Sequence, residues 1–171
     1  YEKGASVLRM LEQHIGPVLF RDGVRQYLRA HAYGNADTKD LWTALGTVAR
    51  RPVPELMDGW IFQPGFPLVT AEVCGQELQL SQQRFTYLMQ QSVSEQLWQI
   101  PVQIRLAIGD RVEHRRLLLT EREMTIRLPA GVTSVFVNEG GHGFYRVRHR
   151  GALLQQLLDQ GLGRLAAMER F

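Results

Sequence analysis

The fold class follows most directly from residues 98–108, which read Trp98-Gln99-Ile100-Pro101-Val102-Gln103-Ile104-Arg105-Leu106-Ala107-Ile108. Apolar side chains occupy every second position from Ile100 to Ile108, which is the period of a β-strand with one buried face. Gly109-Asp110 follows at once and is typical of a tight hairpin turn. Pro101 lacks a backbone N–H, so it fits best on an edge strand or at a bulge. The segment therefore predicts a strand and a hairpin of an antiparallel sheet.

Further short segments between residues 68 and 149 share this strand character. They are bounded by turn residues and predict strands over 68–73, 78–85, 112–119, 124–128, 132–137 and 144–149. About seven short strands joined by short turns indicate an antiparallel β-sandwich. Ser92-Val93-Ser94-Glu95 matches a helix-capping pattern, but a strand follows it, so we interpret it as a linker.

Residues 1–67 precede the predicted sandwich and carry apolar residues at helical spacing. They predict four helices, which are separated by Gly16, Pro17, Pro52 and Pro54. Thr38 is the expected N-cap of the third helix. The second helix carries an apolar stripe made of Phe20, Val24, Tyr27 and Leu28.

Residues 150–171 show helical spacing again, with a leucine stripe made of Leu153, Leu154, Leu157 and Leu158. Gly161 and Gly163 weaken the turn that follows. The stripe either packs back on the sandwich or belongs to a further domain. The fold class expected for the chain is therefore α+β, with helices over 1–67, an antiparallel sandwich over 68–149 and a helix over 150–171.

Composition and charge exclude several classes of protein. The 171 residues are 44% hydrophobic and 22% charged, which is typical of a globular chain. The net charge of +3 is spread without a basic run, so no nucleic-acid partner is expected. No stretch is apolar enough to predict a membrane span. With 18 arginines and two lysines, the chain favours a GC-rich, bacterial genome, and a cytoplasmic location is expected.

The residues alone offer no complete active site. No two of the five histidines are four apart, and the single cysteine, Cys74, excludes both a Cys-x-x-Cys site and an internal disulfide. We interpret the histidines and Cys74 as structural. Gly140-Gly141-His142-Gly143 lacks the Lys-Ser/Thr of a phosphate-binding loop and precedes a strand, so it predicts an ordinary loop.

The first eleven residues, Tyr1-Glu2-Lys3-Gly4-Ala5-Ser6-Val7-Leu8-Arg9-Met10-Leu11, closely resemble a segment of the zinc aminopeptidases of the aminopeptidase N type, which are gluzincins. Similar segments follow in the family's order: residues 20–28, 33–36, 40–42, 57–60, 63–69, 98–102 and 143–147. The resemblance implies that residues 1–67 are the helical C-terminal part of the catalytic domain and 68–149 its β-sandwich neighbour. It also implies that 150–171 is the first helix of a C-terminal helical domain. The loop over 140–143 is richer in glycine than the resemblance leads us to expect.

Tyr1 is the one catalytic residue that the resemblance carries over. It matches the family's tyrosine, which donates a hydrogen bond to the tetrahedral oxyanion. The family's zinc ligands and the glutamate that binds the substrate amine lie upstream of this segment. Zinc is therefore expected in the intact parent and not in this fragment, which is expected to be inactive by itself.

The expected partners are peptide substrates, the missing N-terminal half of the catalytic domain and the C-terminal helical domain. The missing half should pack on the first two helices, which should therefore expose apolar surface here. A different hypothesis remains open, in which a relative of this family has lost its zinc motif and serves as a non-catalytic interaction scaffold. The upstream sequence distinguishes the two, because only the enzyme needs intact zinc ligands.

Overall fold

The computed structural model describes residues 1–87, 95–159 and 165–170. Contacts divide the chain into two compact units, residues 1–64 and residues 65–171. The described part of the first unit is helical, and that of the second contains two sheets and a helix, so the α+β class is confirmed. Ser92, Val93 and Ser94 of the predicted linker, and Gly161 and Gly163 of the tail, lie outside the described residues.

Four helices form the first unit: α1 (Glu2–Ile15), α2 (Pro17–Ala30), α3 (Thr38–Ala49) and α4 (Val53–Phe62). Proline lies in the first turn of α2 and of α4, where its missing N–H costs no helical hydrogen bond. The core of the unit comes from α1, α3 and α4, through Val7, Met10, Leu11, Ile15, Trp42, Leu45, Leu56, Met57 and Trp60.

The N-cap of α3 is Asp37 and not Thr38, so the sequence prediction is wrong by one residue. The Asp37 carboxylate accepts from the backbone N–H groups of Lys39 and Asp40 at 2.7 and 3.2 Å. Asp40 returns the bond, since its carboxylate accepts from the Asp37 N–H at 2.9 Å. This reciprocal capping box uses aspartate at the position where glutamate is usual.

α2 contacts α3 closely through Gly23, the one residue of α2 that is buried. A Cβ atom on Gly23 would lie 2.7 Å from Leu45 Cδ2 and 3.0 Å from Leu45 Cα, so a larger residue would force α3 to shift. The predicted apolar stripe of α2 is exposed only at Leu28, which is 60% exposed, whereas Phe20, Val24 and Tyr27 are half-buried. Val18 and Leu19 of α2 are also exposed, so α2 presents some apolar surface, whereas the apolar face of α1 is buried.

Seven strands form the second unit: β1 (Pro67–Cys74), β2 (Glu77–Arg84), β3 (Ile100–Ile108), β4 (Arg111–Leu119), β5 (Glu123–Arg127), β6 (Val132–Val137) and β7 (Arg146–His149). One sheet has the order β5-β2-β1-β7 and the other β4-β3-β6. The prediction of a purely antiparallel sandwich is wrong in one place. β7 runs parallel to β1, with Leu68 opposite Arg146 and Ala71 opposite His149.

β3 occupies the centre of its sheet and supplies its buried face. Ile100, Val102, Ile104 and Leu106 are at most 1% exposed. β6 pairs only with Ile104–Ile108, whereas β4 continues along β3 to Ile100. Pro101 therefore lies on a central strand and away from the bulge at Ala107 and Ile108, so its predicted place on an edge strand or at a bulge is wrong. The strand tolerates it because the β6 pairing does not extend to this end of β3.

The tail departs from the predicted continuous helix. α5 (Ala152–Asp159) lies against β1 and β6, with Leu153 buried, while Leu154 and Leu158 are about half exposed. Ala167–Arg170 then forms a 3₁₀ turn instead of continuing the helix. Within the described ranges, every helix is too short or too polar to cross a membrane.

Candidate functional site

Tyr1 lies at the N-cap of α1, at the first turn of the helix. Its carbonyl oxygen accepts the first helical hydrogen bond from the Ala5 N–H at 2.9 Å, whereas its side chain makes no capping bond. The side chain is fully exposed in this chain. A phenol hydroxyl can donate a hydrogen bond, so this arrangement presents an exposed donor at the start of α1.

The helix that carries Tyr1 is held by its buried face and by Lys3. Val7, Met10, Leu11 and Ile15 pack into the core of the first unit. Lys3 Nζ donates to the backbone carbonyl oxygen of Gln63 at 3.4 Å, just beyond the end of α4. A cation at a helix C-terminus is favourable, so this contact ties the first turn of α1 to the end of α4.

Sequence reasoning gave Lys3 no role, because its partner lies 60 positions away. The one sequence signal for a role of Lys3 is its position two residues after Tyr1, the candidate hydrogen-bond donor. The structure thus shows Lys3 as a residue that connects the first turn of α1 to the end of α4.

The described residues do not fit a zinc ion. Among residues 1–87, 95–159 and 165–170, no three His, Cys, Asp or Glu side chains come close enough together to hold a metal. His14 accepts at Nε2 from Arg51 Nη1 at 3.1 Å, and the His31 ring lies 5.3 Å from that of Tyr27. His114 Nδ1 lies 2.7 Å from Glu139 Oε2. Cys74 is exposed at the end of β1. These contacts agree with the interpretation of the histidines as structural.

His149, at the end of β7, is the most strongly perturbed of the histidines in the described part of the chain. Its Nε2 accepts from the backbone N–H of Val137 at 3.3 Å, and its ring stacks on Phe136 with centroids 5.4 Å apart. Burial lowers the pKa of His149 to about 4. The imidazole is therefore neutral near pH 7 and links the two sheets through β6 and β7.

We expect the second unit to lose stability as the pH falls from about 6.5 to about 4. In this window His149 is protonated in the unfolded state and neutral in the folded state. The unfolded state therefore binds more protons than the folded state, so the free energy of unfolding decreases as the pH decreases. The loss is at most about 3 kcal/mol. Urea unfolding of the chain at several pH values between 4 and 7 measures it.

The matched variants for this test are His149→Gln and His114→Gln. Glutamine at 149 can accept the Val137 bond and does not titrate, so the pH dependence should become shallower. His114→Gln replaces a histidine whose side chain is 61% exposed and leaves His149 in place, so the loss of stability that His149 causes between pH 6.5 and 4 should remain. An equal slope in His149→Gln and wild type would assign the pH dependence to other groups.

Comparison with known proteins gives a consistent picture along the chain. The model of the peptidase family M1 domain matches residues 1–60, which contain Tyr1, Lys3 and the four helices almost completely. The match ends before β1 begins.

Similar proteins cover both units. The chain is 37% identical to "Probable M1 family aminopeptidase 1" of Encephalitozoon cuniculi over 99% of its own length and 19% of that protein. It is 39% identical to "Probable aminopeptidase 1" of Saccharolobus solfataricus, over 86% of this chain and 18% of that protein. It is 33% identical to "Tricorn protease-interacting factor F2" of Thermoplasma acidophilum, over 100% of this chain and 20% of that protein. The chain thus spans about a fifth of the length of these relatives, and they give no support to the predicted bacterial origin.

Proposed function

The chain belongs to peptidase family M1, and from this premise we propose that it is part of an aminopeptidase in which Tyr1 donates a hydrogen bond to the reacting carbonyl oxygen. The family consists of zinc metallopeptidases that hydrolyse peptides. The observation that carries the proposal is the position of Tyr1, whose hydroxyl is exposed at the start of a helix with a buried face.

A donor in this position acts on the transition state. When water attacks a peptide carbonyl, the oxygen acquires negative charge that is absent in the ground state. A phenol O–H presented by the first turn of α1 stabilises that charge by donating a hydrogen bond to the oxygen. Because the hydrogen bond strengthens as the charge develops, it lowers the barrier more than it improves substrate binding.

The zinc ligands are proposed to come from other parts of the whole protein, since the described residues of this chain offer no metal site. The 171-residue chain is accordingly proposed to be inactive alone. The assignment of residues 1–67, 68–149 and 150–171 to the catalytic domain, the sandwich and the start of a C-terminal helical domain is part of the same proposal. The family match over residues 1–60 supports the first of these.

The partners of the chain follow from the same proposal. The exposed apolar residues of α2, which are Val18, Leu19 and Leu28, are proposed to pack against the N-terminal half of the catalytic domain. Peptides with a free N-terminus are the proposed substrates of the whole protein.

We expect the intact protein to release the first residue of an unblocked peptide and to leave the N-acetylated peptide uncut. An aminopeptidase must bind the free α-amine, and acetylation removes its charge. Mass spectrometry of the two peptides after incubation measures this, with the 171-residue chain as the inactive control. If the intact protein releases nothing from either peptide, the non-catalytic scaffold becomes the better assignment.

A further inference from the structure

The glycine-rich turn that the resemblance does not explain receives the 165–170 segment of the same unit. The Glu169 side chain lies against this turn and is 3% exposed. Its Oε1 accepts from the Gly140 backbone N–H at 2.9 Å and from Arg105 Nη1 at 3.3 Å. Its Oε2 accepts from the Ala166 N–H at 2.8 Å, which closes the turn of its own segment. The nearly buried Glu169 carboxylate thus accepts from Gly140 and Arg105 on one side of the contact and from Ala166 in its own segment on the other.

Gly141 lets the two backbones approach closely. It has φ +64°, and a Cβ atom there would lie 2.5 Å from the carbonyl oxygen of Met168. Any other residue would therefore collide with backbone that no side-chain rotation can move. The Met168 side chain itself is 62% exposed, so the contact is made by its main chain and not by burial of the side chain.

The receiving surface is fixed by bonds of its own. Asn138 Oδ1 accepts from the Gly143 N–H at 2.8 Å, which closes the turn over 138–143. Arg105 projects from β3, and its guanidinium carbon lies 5.1 Å from the centre of the Phe136 ring. Glu139 also approaches Arg105 at 3.9 Å, but the distance to Glu169 is shorter, at 3.3 Å. The Arg105 guanidinium and the Gly140 N–H are therefore held where both can donate to one carboxylate oxygen.

We propose that Arg105, Gly140 and Gly141 form a docking site for the 165–170 segment of this chain, and that the Glu169 carboxylate specifies its position. Burying the Glu169 carboxylate without these donors would cost free energy, so the segment is stable only in the position where the donors reach it. The competing account is that burial of Leu165, which is 9% exposed, holds the segment without help from Glu169. The proposal concerns the second unit only and does not depend on peptidase activity.

Hydrogen exchange in the full chain tests the role of Glu169. In Glu169→Ala, the amides of Gly140 and Ala166 lose their acceptor and should exchange about tenfold faster or more. The amides of β3 should keep their protection, which shows that the sheet is folded. Glu123→Ala removes an exposed carboxylate of β5 and should change neither amide. Wild-type exchange of the Gly140 and Ala166 amides in Glu169→Ala would overturn the proposal in favour of Leu165.

Gly141→Ala tests the close approach without touching Glu169 or Arg105. It should speed exchange at Gly140 and Ala166 as Glu169→Ala does, because the segment cannot reach the site. Gly109→Ala is the matched control, since Gly109 has φ +56° but nothing within 4 Å of the added Cβ. It carries the same backbone strain without the collision and should leave both amides protected. Equal effects of the two alanines, or none from Gly141→Ala, would contradict the docking site.

Discussion

If the intact protein is the proposed aminopeptidase, Tyr1→Phe is expected to lower kcat and kcat/KM together by about 10²–10³-fold, with KM nearly unchanged. The substitution keeps the ring and removes only the hydroxyl, so the packing at the start of α1 should not change. Since the proposed hydrogen bond strengthens only as the oxyanion forms, its loss raises the barrier and hardly affects ground-state binding. Steady-state kinetics on an unblocked peptide measure both constants.

Tyr33→Phe is the matched control, because Tyr33 is another fully exposed tyrosine of the first unit that has no proposed role. It should retain wild-type kcat. Metal content and thermal unfolding of both variants should equal those of the wild type, which separates a catalytic defect from a structural one. Near wild-type kcat in a folded Tyr1→Phe protein would withdraw the catalytic role while leaving the family membership intact.

Strand positions could be predicted from the sequence because they depend on local patterns. The alternation through β3 and the Gly109-Asp110 turn fixed both the strand and its hairpin partner β4, whose pairing runs from Ile100↔Leu119 to Ile108↔Arg111. The direction of β7 could not be found in this way. Its parallel pairing with β1 joins Leu68 to Arg146 across 78 positions, and no local pattern encodes the path between them.

The candidate site could be predicted only in part, because its contacts also join residues that are far apart in the sequence. Tyr1 is exposed and its side chain makes no capping bond, so only the resemblance to a family segment identifies it. Lys3 and Gln63, or Glu169 and Gly140, meet through folding of segments 60 and 29 positions apart. The glycine-rich loop is unusual in the sequence. The need for glycine there comes from the close approach of the 165–170 backbone, which exists only in the folded chain.

Gln82 illustrates a signal that the sequence did contain. It is in phase with Leu78 and Leu80 along β2, and these three side chains are 0%, 1% and 2% exposed in the order Leu78, Leu80, Gln82. A polar residue in the buried phase of a strand requires polar partners. Gln82 has three: its Nε2 donates to the carbonyl oxygens of Trp98 and Glu121 at 2.9 and 3.0 Å, and its Oε1 accepts from the Trp98 N–H at 2.9 Å.

Gln82→Leu is therefore expected to destabilise the second unit by about 3–5 kcal/mol, although leucine suits both the volume and the strand phase. The substitution removes the side chain that bonds the Trp98 N–H and the carbonyl oxygens of Trp98 and Glu121, and the two bonds to Trp98 are buried. Loss of a buried hydrogen-bond partner costs about 1–3 kcal/mol per group. Urea unfolding of the chain, followed by the fluorescence of Trp98 in a background where Trp42 and Trp60 are phenylalanine, measures the change in this unit.

Gln83→Leu is the control, because Gln83 is the exposed neighbour of Gln82 on the same strand. It should change the free energy of unfolding by less than about 0.5 kcal/mol. A comparably small effect of Gln82→Leu would mean that water or a shift of the 95–99 backbone satisfies the groups at Trp98 and Glu121. The Gln82 bonds to Trp98 and Glu121 would then contribute little to the stability of the second unit.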